Sequence, residues 1–188
     1  MRKIAAGKAI AAVALCAAVS GVSAEVISGL EVGAPTQSIP VMDVTGTYKG
    51  RLICYVCDFQ DDPNVLAFFR STGEETAQLI RELNQLYLTN RDDNFKAVAM
   101  VVAGAEAKDW LAELAEAEHI EIPLTYLRRG PQDVAVRLYE LNSDVENTFL
   151  VTVNRFVTAN VSDIEPGEFG LVADAAAQML LHNTSKAE

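Results

Sequence analysis

Residues 64–90 read NVLAFFRSTGEETAQLIRELNQLYLTN, and two periodicities meet inside this stretch. Val65 to Phe69 is a compact apolar run of the length a buried strand takes. After Arg70 the pattern changes. Ser71 or Thr72 is placed to cap a helix, with Glu74 and Glu75 in its first turn, where the helix dipole favours negative charge. Leu79, Ile80, Leu83, Leu86 and Tyr87 then recur on one helical face, and the polar stretch from Asn90 to Asn94 ends it.

Working outward, the alternation continues downstream. Phe95 to Ala103 reads as a second buried strand, and Gly104 turns into a helix over 106–118 with Trp110, Leu111, Leu114 and Ala115 as its apolar stripe. Ile120 to Leu127 is extended, with Pro123 marking an edge or a strand end. Gly130-Pro131 opens a short helix, Gln132 to Leu138. Thr148 to Val153 and Phe156 to Val161 read as two strands of a hairpin joined at Asn154-Arg155. A loop at Glu165-Pro166-Gly167 leads to a closing helix, Leu171 to Leu181. Upstream, Val41 to Gly46 is a small strand entering a turn, Arg51 to Cys57 is apolar and β-branched, and Asp58 to Pro63 is an acidic loop. Strand–helix alternation implies parallel strands joined by right-handed crossovers, and the hairpin adds an antiparallel pair. The expected fold class is α/β: a mixed sheet with helices on both faces.

The first 24 residues have a different character. Met1-Arg2-Lys3 and Lys8 are basic, Ala9 to Val19 carries no charge, and Val22-Ser23-Ala24 ends the run with small residues. That order is a secretory signal peptide, and the apolar run is about half the ~20 residues of a membrane span. Cys16 raises a lipoprotein reading, but Leu15 stands where a small residue is wanted. The expected organisation is a signal peptide over 1–24 and one domain over 25–188. The protein is then exported, to the periplasm or fully secreted.

Three of the 15 basic residues (Arg2, Lys3 and Lys8) lie in that segment, and all 26 acidic residues lie beyond it. The remaining 12 basic residues face 26 acids, a net charge of −14. Such a surface repels nucleic acid and anionic membranes, so neither is expected as a partner once the signal is removed. No Gly-rich phosphate loop occurs.

Three stretches resemble the thioredoxin-like superfamily, in particular its peroxiredoxin-like and extracytoplasmic thiol-oxidoreductase branch. Val32-Gly33-Ala34-Pro35 followed by Val41-Met42-Asp43-Val44-Thr45-Gly46 resembles that branch's opening, a Gly and Pro ahead of a short strand and Asp-x-x-Gly. Asn64 to Phe69 with its helix resembles the central strand and redox helix, and Thr148 to Val151 with Arg155-Phe156-Val157 resembles the closing hairpin. The resemblance implies a thioredoxin-like mixed sheet. It also implies active cysteines directly after the central strand, where this chain has Arg70-Ser71-Thr72-Gly73. Thioredoxins place a proline just before the hairpin, where this chain has Asp144-Val145-Glu146-Asn147. The fold carries over to this sequence, and the family's catalytic positions do not.

The chemistry therefore rests on Cys54-Tyr55-Val56-Cys57. Along an extended strand three residues separate the α-carbons by roughly 10 Å, whereas a disulfide needs about 4.4–6.8 Å. The segment is either a tight turn with a bridge or a strand with two free thiols. Tyr55 and Val56 are poor turn residues, which opposes the bridge, and export favours it. One function is thiol–disulfide exchange with protein thiols or disulfides. By analogy with the motif, Cys54 attacks as a thiolate and Cys57 resolves. Asp58, Asp61 and Asp62 oppose a thiolate if near, with Arg51 and Arg70 as the cations that could offset them. The other function is a non-catalytic exported module with a structural Cys54–Cys57 disulfide, offering a sheet edge or acidic face to a partner. A zinc site lacks ligands, since one cysteine pair stands alone and His119 and His182 each end a helix. Asp58 follows the second cysteine where haem attachment requires His. No cofactor or metal is expected.

Overall fold

The computed structural model describes residues 27–184, and the signal peptide expected over 1–24 lies outside the described residues. Among the described residues the strands and α-helices are, in order, β1 (Val41–Asp43), β2 (Leu52–Ile53), α1 (Tyr55–Phe59), β3 (Asn64–Phe69), α2 (Glu74–Asn90), β4 (Lys96–Val101), α3 (Lys108–Ala117), β5 (Leu124–Tyr126), α4 (Val134–Leu138), β6 (Asn147–Val153), β7 (Phe156–Ser162) and α5 (Gly170–Thr184). The strands form one sheet in the order β2-β1-β5-β4-β3-β6-β7.

β3 is buried at all six positions because it is paired on both edges and covered on both faces. It runs parallel to β4 and antiparallel to β6. Its side chains alternate between two cores. Val65, Ala67 and Phe69 join Leu79, Ile80 and Leu83 of α2, Leu111 and Leu114 of α3, and Val172, Ala176 and Met179 of α5. Leu66 and Phe68 join Tyr55, Val56 and Phe59 of α1 with Ala135 of α4 and Tyr139 beyond it. The crossovers β3-α2-β4 and β4-α3-β5 step the same way along the sheet, so right-handedness puts both helices on one face. The expected mixed sheet with helices on both faces is what the chain forms.

Local details differ from the expectations where tertiary contacts outweigh local pattern. The N-cap of α2 is Gly73, with no side-chain cap; Ser71 Oγ turns away to Glu146 Oε2 at 2.9 Å. The helix expected over 132–138 is divided by Asp133, whose carboxylate caps α4 through the Ala135 N–H at 3.1 Å. Pro123 lies directly before β5, consistent with a strand end. Asn154 and Arg155 form the two-residue turn of the β6–β7 hairpin, as expected. Trp110 is half-buried against the larger core, a packing role.

Candidate functional site

Residues 51–57 are not one strand. β2 stops at Ile53, Cys54 is extended (φ −102°, ψ 96°) and caps α1, and the helix starts at Tyr55. The Cys54 carbonyl accepts the N–H groups of Cys57 at 3.1 Å and Asp58 at 3.0 Å. This turn brings the α-carbons of Cys54 and Cys57 to 5.2 Å, and the two sulfurs form a disulfide. Of the two arrangements the spacing allowed, the tight turn is the one present. Tyr55 and Val56 are poor turn residues, but as the first turn of a helix they bury with Phe59 in the second core, and that burial overrides local preference.

A polar knot fixes where this turn sits. Asp43, at the end of β1, is 2 % exposed, and its carboxylate accepts four hydrogen bonds. Three come from backbone N–H groups: Thr45 at 3.2 Å, Gly46 at 2.7 Å and Tyr48 at 2.7 Å. The fourth comes from the Tyr55 hydroxyl at 2.8 Å. The Asp-x-x-Gly pattern thus has a physical reason. A Cβ at Gly46 would collide with that hydroxyl and lie 2.9 Å from Asp43 Oδ2. Burial, then the bond to Asp43, push the Tyr55 phenol well above its ordinary pKa. Tyr48 packs edge-on against Tyr55 and donates to Asp58 Oδ1 at 2.7 Å, which also raises the Tyr48 phenol.

The two sulfurs differ in surroundings. Cys54 is half-buried and packs against the second core, and its Sγ accepts the Cys57 N–H at 3.2 Å. Cys57 is exposed, and its Sγ lies 3.3 Å from Ser38 Oγ. A disulfide sulfur has no proton to give, so the serine hydroxyl is the donor. Arg155 Nη2 in turn donates to Ser38 Oγ at 3.2 Å. Ser38 and Arg155 are held by the segment between them and the hairpin: Thr36 N–H donates to the Arg155 carbonyl at 2.8 Å, and Tyr139 Oη donates to the Gln37 carbonyl at 2.7 Å. On the other side of the turn, Asn154 N–H donates to the Asp61 carbonyl at 3.0 Å.

Arg70 and two of the acids named from sequence have partners of their own. Arg70 is at the far end of β3, bound to the carbonyls of Asn142 at 2.6 Å and Val145 at 3.2 Å. Ser71 Oγ bonds Glu146 at 2.9 Å, so the Arg70 and Ser71 side chains are engaged by the segment ahead of β6. The Asp58 carboxylate is engaged by Tyr48, and Asp62 Oδ1 accepts from Asn94 at 2.6 Å. Arg155, linked to Cys57 through Ser38, is a cation that sequence spacing did not single out. An arginine at the second position of a two-residue hairpin turn, where glycine is favoured, was the available signal.

No protein-family model matches the chain, and no curated protein matches it in sequence. Solved structures do. A candidate thiol:disulfide interchange protein DsbE from Chlorobium tepidum superposes with a TM-score of 0.65 at 16% identity, covering 80% of this chain and 99% of that one. Peroxidoxin BcpB from Mycobacterium tuberculosis gives a TM-score of 0.61 at 16% identity, covering 80% and 97%. Peroxiredoxin Q from Xanthomonas campestris gives 0.60 at 12% identity, covering 81% and 98%. The chain therefore has the thioredoxin-like fold, and its structural neighbours include both peroxiredoxins and thiol–disulfide exchange proteins.

Proposed function

We propose that this protein is an exported thiol–disulfide oxidoreductase whose redox centre is Cys54–Cys57 and whose substrates are protein thiols or disulfides. The carrying observation is a disulfide closed across one helical turn with one of its two residues, Cys57, exposed. An approaching thiolate needs access to a sulfur and a leaving thiolate needs donors. Cys57 offers the first, and the Cys57 N–H facing Cys54 Sγ offers the second. The basic, apolar, small-residue order of Met1 to Ala24 supports export, and an oxidising compartment suits a bonded pair.

One observation favours the alternative of a non-catalytic exported module with a structural bridge. The pair precedes β3 in the chain rather than following it, where the superfamily resemblance implies active cysteines, and Cys54 packs on the core. Turnover separates the two readings. The oxidoreductase accelerates reduction of a protein disulfide such as insulin by dithiothreitol, and both Cys54→Ser and Cys57→Ser abolish the acceleration. A wild-type protein that leaves the uncatalysed rate unchanged supports the structural bridge.

A further inference from the structure

The turn between β6 and β7 carries a residue its backbone does not favour. Asn154 and Arg155 have φ of 53° and 65°. Two successive positive φ values define a hairpin turn in which Asn-Gly is preferred. Arginine at the second position adopts a left-handed conformation that L side chains resist, and such outliers are enriched at functional sites. Here the side chain is half-buried and reaches Ser38 at 3.2 Å, and Ser38 reaches Cys57 Sγ at 3.3 Å. A guanidinium only donates, so Ser38 Oγ is the acceptor from Arg155 and its own proton is left for sulfur. Three segments distant in sequence thus form one chain of contacts, Arg155 to Ser38 to Cys57 Sγ, and Cys57 is the exposed cysteine of the pair.

We infer that exchange passes through Cys57, with Ser38 and Arg155 as positioning residues that stabilise its thiolate. The inference rests on the redox reading above and reverses the role order that the motif implies. In the oxidised protein a substrate thiolate attacks Cys57 Sγ. A bond forms between the substrate sulfur and Cys57, the Cys54–Cys57 bond breaks, and its electron pair leaves on Cys54 Sγ, which faces the Cys57 N–H and takes a proton from water. The substrate's second thiol, deprotonated to water, attacks the substrate sulfur of the mixed disulfide. That step forms the substrate disulfide and expels Cys57 Sγ as a thiolate facing the Ser38 hydroxyl. The substrate dithiol is oxidised by two electrons and the cysteine pair is reduced by two. In the opposite direction the Cys57 thiolate attacks a substrate disulfide, and Cys54 resolves. Asp58, the acid next to Cys57 on α1, is held by Tyr48, while Arg155 supplies the positive charge from the hairpin turn.

The test is the pH profile of alkylation at each cysteine of the fully reduced protein, with the modified residue identified by mass spectrometry. Cys57 is expected to react first, with an apparent pKa below the ~8.5 of an unperturbed thiol. Ser38→Ala and Arg155→Gly are each expected to slow Cys57 alkylation at neutral pH by about tenfold, the change in thiolate fraction for one pKa unit. Arg155→Gly suits the turn, so its unfolding midpoint holds or rises, which separates lost chemistry from lost folding. With glutathione disulfide, Cys54→Ser is expected to accumulate a mixed disulfide on Cys57 faster than Cys57→Ser does on Cys54. First reaction at Cys54, or a Cys57 profile unmoved by both substitutions, overturns the inference while leaving the redox reading standing. Failure of both single-cysteine variants to form a mixed disulfide overturns both.

Discussion

The Tyr55 hydroxyl donates to the buried Asp43 carboxylate at 2.8 Å, tying the residue after Cys54 to the end of β1. Asp43 keeps three backbone donors without Tyr55, so the knot survives its loss in weakened form. Tyr55→Phe removes one hydrogen bond to a charged acceptor and leaves the ring in place. A loss of about 1.5–3 kcal/mol is expected from denaturant unfolding. Gly46→Ala is expected to lower stability through the same knot, because the added methyl displaces the hydroxyl that Asp43 holds.

Stability has an alkaline limb with a stated sign. Burial, then the bond to Asp43, raises the Tyr55 phenol above its ordinary value of 10.0, and burial does the same for Tyr139. The folded state therefore holds both protons more tightly than the unfolded state. Their contribution is fully present below pH 10 and is lost as pH climbs from there toward the raised folded values. Urea unfolding between about pH 8 and pH 11 is expected to show falling stability above pH 10, with a shallower slope in Tyr55→Phe and in Tyr139→Phe.

The disulfide is a small contributor to folding. It closes a four-residue loop, for which chain entropy gives about 2 kcal/mol. The double variant Cys54→Ser, Cys57→Ser is expected to lose about that much and to retain its fold, because both cores are built from other residues. Circular dichroism and the unfolding midpoint check this.

The segment directly after β3 has no part in the proposed chemistry. Ser71 bonds Glu146 and Arg70 bonds two carbonyls. Ser71→Ala is expected to leave insulin reduction at the wild-type rate. A tenfold loss would move the active site to the segment after β3.

Much of the fold is legible in the sequence because long apolar runs and helical stripes report burial directly. Val65 to Phe69, the stripe from Leu79 to Tyr87, and the two strands flanking Asn154-Arg155 all stand where their patterns place them. The site is less legible. Arg51 to Cys57 has a β-branched composition, yet its second half is helical because Tyr55, Val56 and Phe59 fit the second core only as a turn. The convergence of Ser38, Cys57 and Arg155 depends on pairing between segments 19 and 117 positions apart, which no local pattern encodes. The only trace was an arginine where the turn prefers glycine.

The reduction potential of the Cys54–Cys57 pair, measured by equilibration with glutathione buffers, tests the redox assignment most directly. Exchange proteins hold their disulfides between about −270 and −120 mV, and the protein is expected in that range. A value below about −300 mV would make the bridge a structural bond and contradict the assignment.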